Sequence, residues 1–320
     1  MADGSHHIPI AKKPLTGALD VGDLFAGLGG FSEGARAAGC NVVYAANHWP
    51  AAVAVHAANH PETTHACQDL QQTNFALLPH LDLLLASPAC QGHSRARGKE
   101  RPHHDSLRST AWAVVAALEA KKPYAFVVEN VKEFVKWAMF EAWKAAIEAL
   151  GYSISIYFID AADHGVPQHR VRVFIVGTRS ANSIQLRLPR REHVPASTFI
   201  DFGAGRWSPI EKPGRAEKTL TRVLAGRAAH GDRFLTAYFG NEWGGRSIHR
   251  PIGTVTTRDR YAVVDGDRMR MLTAEEYRHA MGFPSDYQLP KNHRDAVHML
   301  GNAVCPRVAT DVINAIRQAA

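Results

Sequence analysis

The chain of 320 residues has little cysteine and no long apolar run. Its four cysteines are Cys40, Cys67, Cys90 and Cys305. They are scattered without a C-x-x-C pair, which argues against both a disulfide framework and a zinc site. No segment approaches the roughly 20 consecutive apolar residues of a membrane-spanning helix, and residues 1–14 lack the apolar run of a signal peptide. We therefore expect a cytoplasmic protein with no metal and no membrane partner, in which any special cysteine acts alone.

The chain does contain enough apolar residues for a sizeable core, together with an excess of positive charge. Hydrophobic residues make up 46% of the sequence, which at this length is enough for one large α/β domain and a smaller one. Lys and Arg number 37 against 30 Asp and Glu, so the formal net charge is +7. A basic chain favours a polyanionic partner such as a nucleic acid, although charge alone does not identify one.

Strand-like and helix-like segments alternate through the first half of the chain. The predicted strands are 18–25, 41–46, 81–86, 124–128, 153–159 and 171–177. The predicted helices are 30–38, 51–58, 107–119 and 134–150. Such alternation predicts a doubly wound, mostly parallel sheet of the α/β class. The loop 161–170 is too short for a crossover helix, so the last two strands should form an antiparallel hairpin.

The regular pattern fades from Thr178 to about Ile248, where Pro, Gly, Arg and Trp are frequent and only short pieces such as 233–239 suggest structure. It resumes at 272–281, and an amphipathic helix with a proline in its first turn ends the chain at 306–319. The predicted division is therefore a main domain at 1–178, a small irregular domain at 179–249 and a segment that completes the main domain at 250–320.

A glycine-rich turn follows the first predicted strand and reads Asp23-Leu-Phe-Ala-Gly-Leu-Gly-Gly-Phe31. Glycines let the backbone turn tightly and approach a ligand in the crevice beyond the strand ends. A tight strand-to-helix connection without a ligand explains the turn equally well. Its spacing differs from the dinucleotide pattern G-x-G-x-x-G, which argues against a nicotinamide-dependent oxidoreductase.

The third predicted strand leads into Ser87-Pro-Ala-Cys-Gln-Gly-His-Ser94. A free cysteine is most often a small buried hydrophobe. Cys90, however, lies among polar residues and is followed by Arg95, Arg97 and Lys99, a setting that lowers the pKa of a thiol. The segment therefore favours a nucleophilic role for Cys90.

Two further segments place charged groups at the same edge of the predicted sheet. The apolar segment 127–131 brings Glu129 to this edge. Burial there would raise the pKa of Glu129, so that its carboxyl group can donate a proton. A helix N-terminal charge is the alternative reading. In the segment 168–172, alternation places Arg170 and Arg172 on one face, which suits binding of an oxygen or a phosphate, although a solvated edge strand would look the same.

In order and spacing these segments resemble the cytosine-5 DNA methyltransferase family, whose motifs are D-L-F-A-G-x-G-G, P-C-Q, E-N-V and Q-x-R-x-R. The segment Leu272–Pro284 is similar to the late helix of that family, and Gly301–Val304 to its terminal G-N-x-V loop. The resemblance covers the chain except for about 178–248. It implies the fold of S-adenosylmethionine-dependent methyltransferases and the activity of a DNA (cytosine-5) methyltransferase from a restriction-modification system.

The resemblance implies a covalent mechanism. Cys90 would add to C6 of a flipped-out cytosine, so that C5 attacks the methyl group of S-adenosylmethionine and S-adenosylhomocysteine leaves. Glu129 would bind N3 and the exocyclic amine, while Arg172, with Arg170 nearby, would hold O2 of the base and a loop phosphate. Ala89 stands where the family has a proline directly before the cysteine, so we expect an altered loop geometry.

The resemblance also implies a cofactor site at the strand ends. Phe25 would stack on the adenine, Asp69 would accept a hydrogen bond from its amino group, and the glycine turn with the terminal loop would hold the methionine end. Asn47 occupies the position of the usual acidic partner of the ribose, so its hydrogen bonds would lack charge assistance unless His48 contributes. The full predicted set is Phe25, Ala26, Gly27, Leu28, Gly29, Asn47, His48, Asp69, Leu70, Ser87, Asn302 and Val304.

Double-stranded DNA is the implied partner, with the loop 91–104 as a clamp and the region 179–249 as the target-recognition domain. The predicted DNA contacts in and near the active site are Gln91, Ser94, Arg95, Arg97 and Gln168. The arginines available for base recognition are Arg187, Arg190, Arg191, Arg206, Arg215, Arg222, Arg227, Arg233 and Arg246. The small size of this domain predicts a short recognition sequence. We expect a monomer, with a cognate restriction endonuclease as a candidate partner.

Two alternatives stay open at the level of sequence. One branch of the family modifies tRNA with the same catalytic residues, and a duplex DNA assay run against tRNA separates the two activities. A catalytically silent DNA-binding regulator is suggested by Asn47 and Ala89. Retention of Cys90, Glu129, Arg170 and Arg172 together argues against that reading.

Overall fold

The structure is a computed structural model that describes residues 17–88, 103–239 and 242–319, without the side chains of 103–109. Within these ranges no helix combines the length and the apolar character needed to cross a membrane. The predicted nucleophile loop falls outside them: Cys90, Gln91, Ser94, Arg95 and Arg97 are not among the described residues.

A seven-stranded sheet forms the centre of the fold. Its strands are β1 (Asp20–Leu24), β2 (Asn41–Asn47), β3 (Thr64–Cys67), β4 (Leu83–Ala86), β5 (Ala125–Val131), β6 (Ser153–Asp160) and β7 (Val171–Thr178). The spatial order is β3-β2-β1-β4-β5-β7-β6. Neighbours are parallel except β7, which is antiparallel to both β5 and β6. The predicted mostly parallel sheet with an antiparallel hairpin is confirmed.

Helices cover both faces of this sheet, as a doubly wound fold requires. The α-helices are α1 (Gly30–Ala37), α2 (Pro50–Asn59), α3 (His103–Lys121), α4 (Phe140–Ala149), α5 (Glu217–His230), α6 (Ala274–Ala280), α7 (His293–Asn302) and α8 (Pro306–Ala319). One apolar core joins α1, α2 and α8 to one face, and a second joins α3 and α4 to the other. Helix α8 packs so closely on α1 that a Cβ at Gly34 would lie 2.4 Å from the Ala309 Cβ. The last helix of the chain is therefore part of the main domain.

A five-stranded antiparallel sheet combines three strands of the region predicted to be irregular with two strands that follow it. Its strands are β8 (Ser208–Pro209), β9 (Arg233–Ala237), β10 (Arg246–Ser247), β11 (Tyr261–Asp265) and β12 (Arg268–Met271), in the order β10-β9-β11-β12-β8. Helix α5 packs on it, with Gly226 against the Phe234 ring. The predicted boundary at residue 249 falls inside this sheet, because β9 pairs along its whole length with β11.

Candidate active site

A cavity of about 250 Å³ opens at the carboxyl ends of β1, β2, β4 and β5. Parallel strands of an α/β sheet present their ligands at this edge. The cavity brings together residues predicted to bind the cofactor and residues predicted to be catalytic. Predicted residues that line it are Phe25, Ala26, Gly27, Leu28, Asn47, His48, Ser87, Asn302 and Val304 from the cofactor set, and Glu129, Arg170 and Arg172 from the catalytic set.

The glycine turn between β1 and α1 is held in an unusual backbone conformation. Gly27 and Gly29 have φ values of 55° and 96°, and Phe25 adopts a φ of 59°, which a residue with a side chain rarely does. A Cβ at Gly30 would lie 2.0 Å from the carbonyl oxygen of Val304, so the turn packs directly on the terminal loop. Strain of this kind persists where the surroundings fix the backbone, and it is common where backbone lines a ligand site.

Three residues of the predicted cofactor set do not line the cavity. Gly29 lies beneath it, and Leu70 is buried in the apolar core between the sheet and α3. Asp69 is exposed and caps a short 3-10 helix, where its Oδ1 accepts a hydrogen bond from the Gln71 N–H at 3.0 Å. The predicted contact between Asp69 and adenine stays a prediction, because an exposed carboxylate that caps its own loop can still accept a further hydrogen bond.

Asn47 lies at the cavity wall, but its amide is already partly committed. The side-chain oxygen accepts a hydrogen bond from the Trp49 N–H at 2.9 Å. Only the amide nitrogen is then available to donate to a ligand. This geometry leaves Asn47 a weaker partner for a hydroxyl group than a carboxylate would be, and His48 lines the cavity beside it.

Sequence reasoning missed an aromatic wall of the cavity formed by Trp49 and His298. Their ring centroids are 5.4 Å apart and the rings meet edge to face. The position of Trp49 just after β2 was a usable signal, because that is the edge where ligands bind. His298 precedes Asn302 by one helical turn on α7, so both project from the same face.

Glu129 is buried near the end of β5 and contacts a cation on the neighbouring strand β7. The Arg172 Nε lies 3.3 Å from the Glu129 Oε1. Burial raises the pKa of Glu129, and the neighbouring Arg172 and Arg170 oppose that rise only in part. The site therefore holds a carboxyl group that can keep its proton above the ordinary range and donate it to a bound ligand.

Arg170 is buried, and its guanidinium group donates hydrogen bonds to backbone carbonyl oxygens. Its Nη1 donates to the carbonyl oxygen of Val255, and its Nη2 donates to those of Gly301 and Ala303, each at 3.0 Å. The side chain thus ties the segment between β10 and β11 to the terminal loop of the cavity. Arg172 is the arginine of the pair that contacts Glu129, so we assign Arg170 to positioning and Arg172 to the substrate side.

Replacing Arg170 with lysine should destabilise the protein by about 2–4 kcal/mol, because an ammonium group cannot reach all three carbonyl oxygens and leaves buried acceptors unpaired. Chemical denaturation of the two proteins without ligand measures this difference. The matched control is Arg172→Lys, which should change stability much less. Equal stability of Arg170→Lys and the wild type would contradict the assignment.

Gln168 is fully buried, which corrects its predicted role as a DNA contact. Its Oε1 accepts a hydrogen bond from the Val255 N–H at 2.7 Å, and its Nε2 donates to the Ala280 carbonyl oxygen at 3.0 Å. With both ends of the amide bound inside the protein, no surface of the side chain is left for DNA. Gln168 instead fixes the same segment that Arg170 holds.

Asn130 connects the catalytic strand to the start of the nucleophile loop. The Asn130 side chain is buried, and its Nδ2 donates to the carbonyl oxygen of Pro88 at 3.0 Å. Pro88 is the last described residue before the predicted nucleophile, Cys90. This bond places the beginning of that loop beside Glu129.

Several arginines predicted to read bases have protein partners. Arg191 pairs with Asp311, Arg227 with Asp267, Arg233 with Asp265 and Arg246 with Glu242. Arg215 donates to the Pro209 carbonyl oxygen, and the Arg222 guanidinium lies over the rings of Tyr238 and Trp243. Arg190 lies 3.6 Å from Asp163, measured from its Nη2 to the carboxylate Oδ1, and Arg187, Arg190, Arg206 and Arg233 are exposed.

Comparison with known sequences gives one consistent family. The chain matches the family described as C-5 cytosine-specific DNA methylase over residues 19–204 and 227–318. Type II methyltransferase M.NlaX of Neisseria lactamica is 29% identical over 308 residues, which cover 93% of this chain and 96% of that protein. Type II methyltransferase M.HhaI of Haemophilus parahaemolyticus is 27% identical and covers 93% of both chains.

Solved structures give the same fold. The Dnmt2 methyltransferase of S. pombe superposes with a TM-score of 0.68 at 16% identity, covering 92% of this chain and 97% of its own. A prophage-encoded DNA modification methyltransferase of E. coli gives a TM-score of 0.72 at 18% identity, covering 94% and 99%. At these identities the likeness establishes the fold alone.

Proposed function

The chain belongs to the C-5 cytosine-specific DNA methylase family, and we propose that it methylates a flipped-out cytosine through a transient bond from Cys90 to C6. The enzyme transfers a methyl group to C5 of cytosine in DNA, and its family and fold imply S-adenosylmethionine as the donor. Cofactor binding, activation of the base and recognition of the duplex are each assigned to particular residues.

One observation carries the proposal: Glu129 and Arg172 line the same cavity as the glycine turn. A donor held at the turn and a base held at Glu129 would therefore share one enclosed space. Neither the donor nor the base then has to move from one site to another for the methyl group to be transferred. This arrangement follows because the parallel strands β1 and β5 end at the same edge of the sheet, where the antiparallel strand β7 begins with Arg172.

The residues present fit S-adenosylmethionine. Left-handed backbone at Gly27 opens the turn to a ligand, and the rings of Phe25 and Trp49 offer flat apolar surface for an adenine. Asn302 and Val304 bound the cavity on the side of the terminal loop. When bound, the cofactor supplies an electrophilic methyl group on a sulfonium sulfur.

The protein groups act on the base. C5 of cytosine is a poor nucleophile. The Cys90 thiolate bonds to C6 and makes the ring enamine-like, while the Glu129 carboxyl group gives its proton to N3 and neutralises the negative charge that develops on the ring. Arg172 would stabilise the carboxylate that remains once Glu129 has given up its proton, and the O2 side of the base. After methylation of C5, loss of the C5 proton to a base restores the double bond and expels the thiolate.

Recognition of the duplex is assigned to the second sheet. Extrusion of a base costs a few kcal/mol, and contacts to the flipped base and flanking phosphates offset it. We assign this role to β8–β12 with α5, which extends the target-recognition domain from about residue 179 to Met271. We further propose that the enzyme acts as a monomer on a short sequence, alongside a cognate restriction endonuclease.

Bisulfite sequencing of DNA from a host that expresses the protein tests this function. The expected result is methylated cytosine within one short motif and none in a host with the empty vector. Labelling of duplex DNA but not of tRNA by radioactive donor excludes the RNA activity. Unmethylated DNA with labelled tRNA would overturn the proposal.

A further inference from the structure

Beneath the glycine turn runs a chain of hydrogen-bonded side chains that the reaction itself does not use. The Ser32 hydroxyl donates to the Asp23 Oδ2 at 2.7 Å, and the Ser32 N–H donates to the same oxygen at 3.1 Å. The His56 Nε2 lies 2.9 Å from the Ser32 hydroxyl oxygen. The His56 Nδ1 lies 2.7 Å from the His65 Nε2. The chain therefore links a half-buried histidine to a carboxylate inside the protein.

Burial fixes the order of the donors in this chain. Asp23, Ser32 and His56 are 1% exposed or less. Burial, with the neighbouring histidines, lowers the pKa of His56 to about 3, so the ring is neutral and has one N–H. Burial raises the pKa of Asp23 to about 7; when Asp23 is ionised, the Ser32 hydroxyl donates to it, so the Ser32 oxygen accepts the His56 Nε2–H and the His56 Nδ1 accepts from His65.

The bond between Asp23 and Ser32 closes the base of the turn. Asp23 lies in β1 and Ser32 in the first turn of α1, so their two hydrogen bonds span the residues that line the cavity. His56 approaches from α2 and also touches the turn, because a Cβ at Gly29 would lie 2.9 Å from its Cδ2. Three separate elements thus meet at one hydroxyl group.

A second hydrogen bond holds the tip of the same turn. The Tyr287 hydroxyl donates to the carbonyl oxygen of Leu28 at 2.5 Å, and the His60 Nε2 lies 3.2 Å from that hydroxyl. The rings of His56 and His60 are 4.6 Å apart. Among the residues that the structure describes, no group of three or more metal-ligating side chains can hold a metal ion, so the histidines here serve as hydrogen-bonding groups.

We propose that His56 is a positioning residue for S-adenosylmethionine, which acts by holding Ser32 against Asp23 and so fixes the cofactor turn from beneath. The inference rests on the proposed function, because it takes the ligand of the turn to be the cofactor. His56 does not line the cavity, so its effect on binding passes through the backbone of the turn.

The test compares His56→Leu, Ser32→Ala and His56→Gln with the wild type. Binding of S-adenosylhomocysteine is measured by calorimetry, and KM for S-adenosylmethionine and kcat by methyl transfer to duplex DNA. His56→Leu and Ser32→Ala should each weaken binding and raise KM by about 5- to 10-fold, the size expected for one lost hydrogen bond, with kcat changed by less than about twofold. Glutamine carries a side-chain N–H close to the position of the imidazole Nε2–H, so His56→Gln should restore most of the affinity.

The control is His164→Leu, which removes another buried histidine whose Nδ1 lies 2.7 Å from Asp311. It should lower stability, measured by denaturation, without weakening cofactor binding. Wild-type affinity in folded His56→Leu or Ser32→Ala would overturn the inference, and so would equal weakening in His164→Leu. A wild-type protein that binds no S-adenosylhomocysteine would instead refute the proposed function on which the inference rests.

Discussion

Replacing Glu129 with glutamine should lower kcat by about 10²–10³-fold, the usual contribution of a positioned acid or base. Glutamine can still donate to N3 and accept from the exocyclic amine, so the flipped base remains bound. It cannot transfer a proton, so negative charge builds up on the ring when C6 is attacked. Binding of duplex DNA and of S-adenosylhomocysteine should change by less than a few-fold.

The same residue sets the pH dependence. Burial raises the pKa of Glu129, so the carboxyl group is protonated to higher pH than an exposed glutamate. Activity that depends on this proton should be present below the raised pKa and decline as the pH rises through it, and the Glu129→Gln enzyme should lack that decline. The stability term has the same sign, because a buried carboxyl group with a raised pKa favours the folded state below its pKa and loses that contribution above it.

Single-turnover rates measured across pH with saturating DNA and cofactor check both statements. The matched control is Glu148→Gln, which removes an exposed charge on α4 that pairs only with Lys144. That variant should keep the wild-type rate and pH profile. A Glu129→Gln enzyme within about threefold of the wild-type rate would rule out the proton-donor role.

Replacing Cys90 with serine should reduce methyl transfer by at least about 10⁴-fold, because a hydroxyl group without a partner base cannot form the nucleophile that the reaction needs. The substitution changes one atom, so binding of cofactor and duplex DNA should persist. Transfer of labelled methyl groups to duplex DNA gives the rate, and gel shift gives the binding.

The natural control for this variant is Cys67→Ser. Cys67 ends β3, is exposed and does not line the cavity, so its loss should leave the rate unchanged. Full methylation of host DNA by the Cys90→Ser protein would refute the assigned nucleophile. A loss of activity in both variants would point to a general effect on the thiols instead.

Most of the main sheet could be predicted because its strands are apolar and its helices have apolar faces, whereas the edge strand β3 was missed because its four residues are polar or half-exposed. The hairpin of β6 and β7 followed from the length of one loop. The second sheet could not be predicted, since β8 and β10 have two residues each and form only by pairing with distant strands. Helix α5 was missed because it buries Thr219, Val223 and Gly226, and such small residues give almost no apolar signal.

Sequence also predicted which residues meet at the cavity better than what each does there. Glu129 and the glycine turn converge because the parallel strands β1 and β5 end at one edge, and Arg172 joins them because the antiparallel strand β7 begins at that edge. The hydrogen bonds that Asp69, Gln168 and Arg170 make to nearby or distant backbone groups could not be predicted, because no motif reveals them. The wall made by Trp49 and His298 needs α2 and α7 to be adjacent, a fact of tertiary packing alone.

Covalent capture of the target base tests the central claim most directly. A duplex oligonucleotide with fluorine at C5 of the target cytosine is incubated with enzyme and S-adenosylmethionine, and the product is digested and sequenced by mass spectrometry. Because fluorine cannot leave as a proton does, the thiolate is not expelled, and the account predicts a stable enzyme–DNA adduct at Cys90. Tight binding of the same oligonucleotide with no adduct, or with an adduct at another residue, would contradict it.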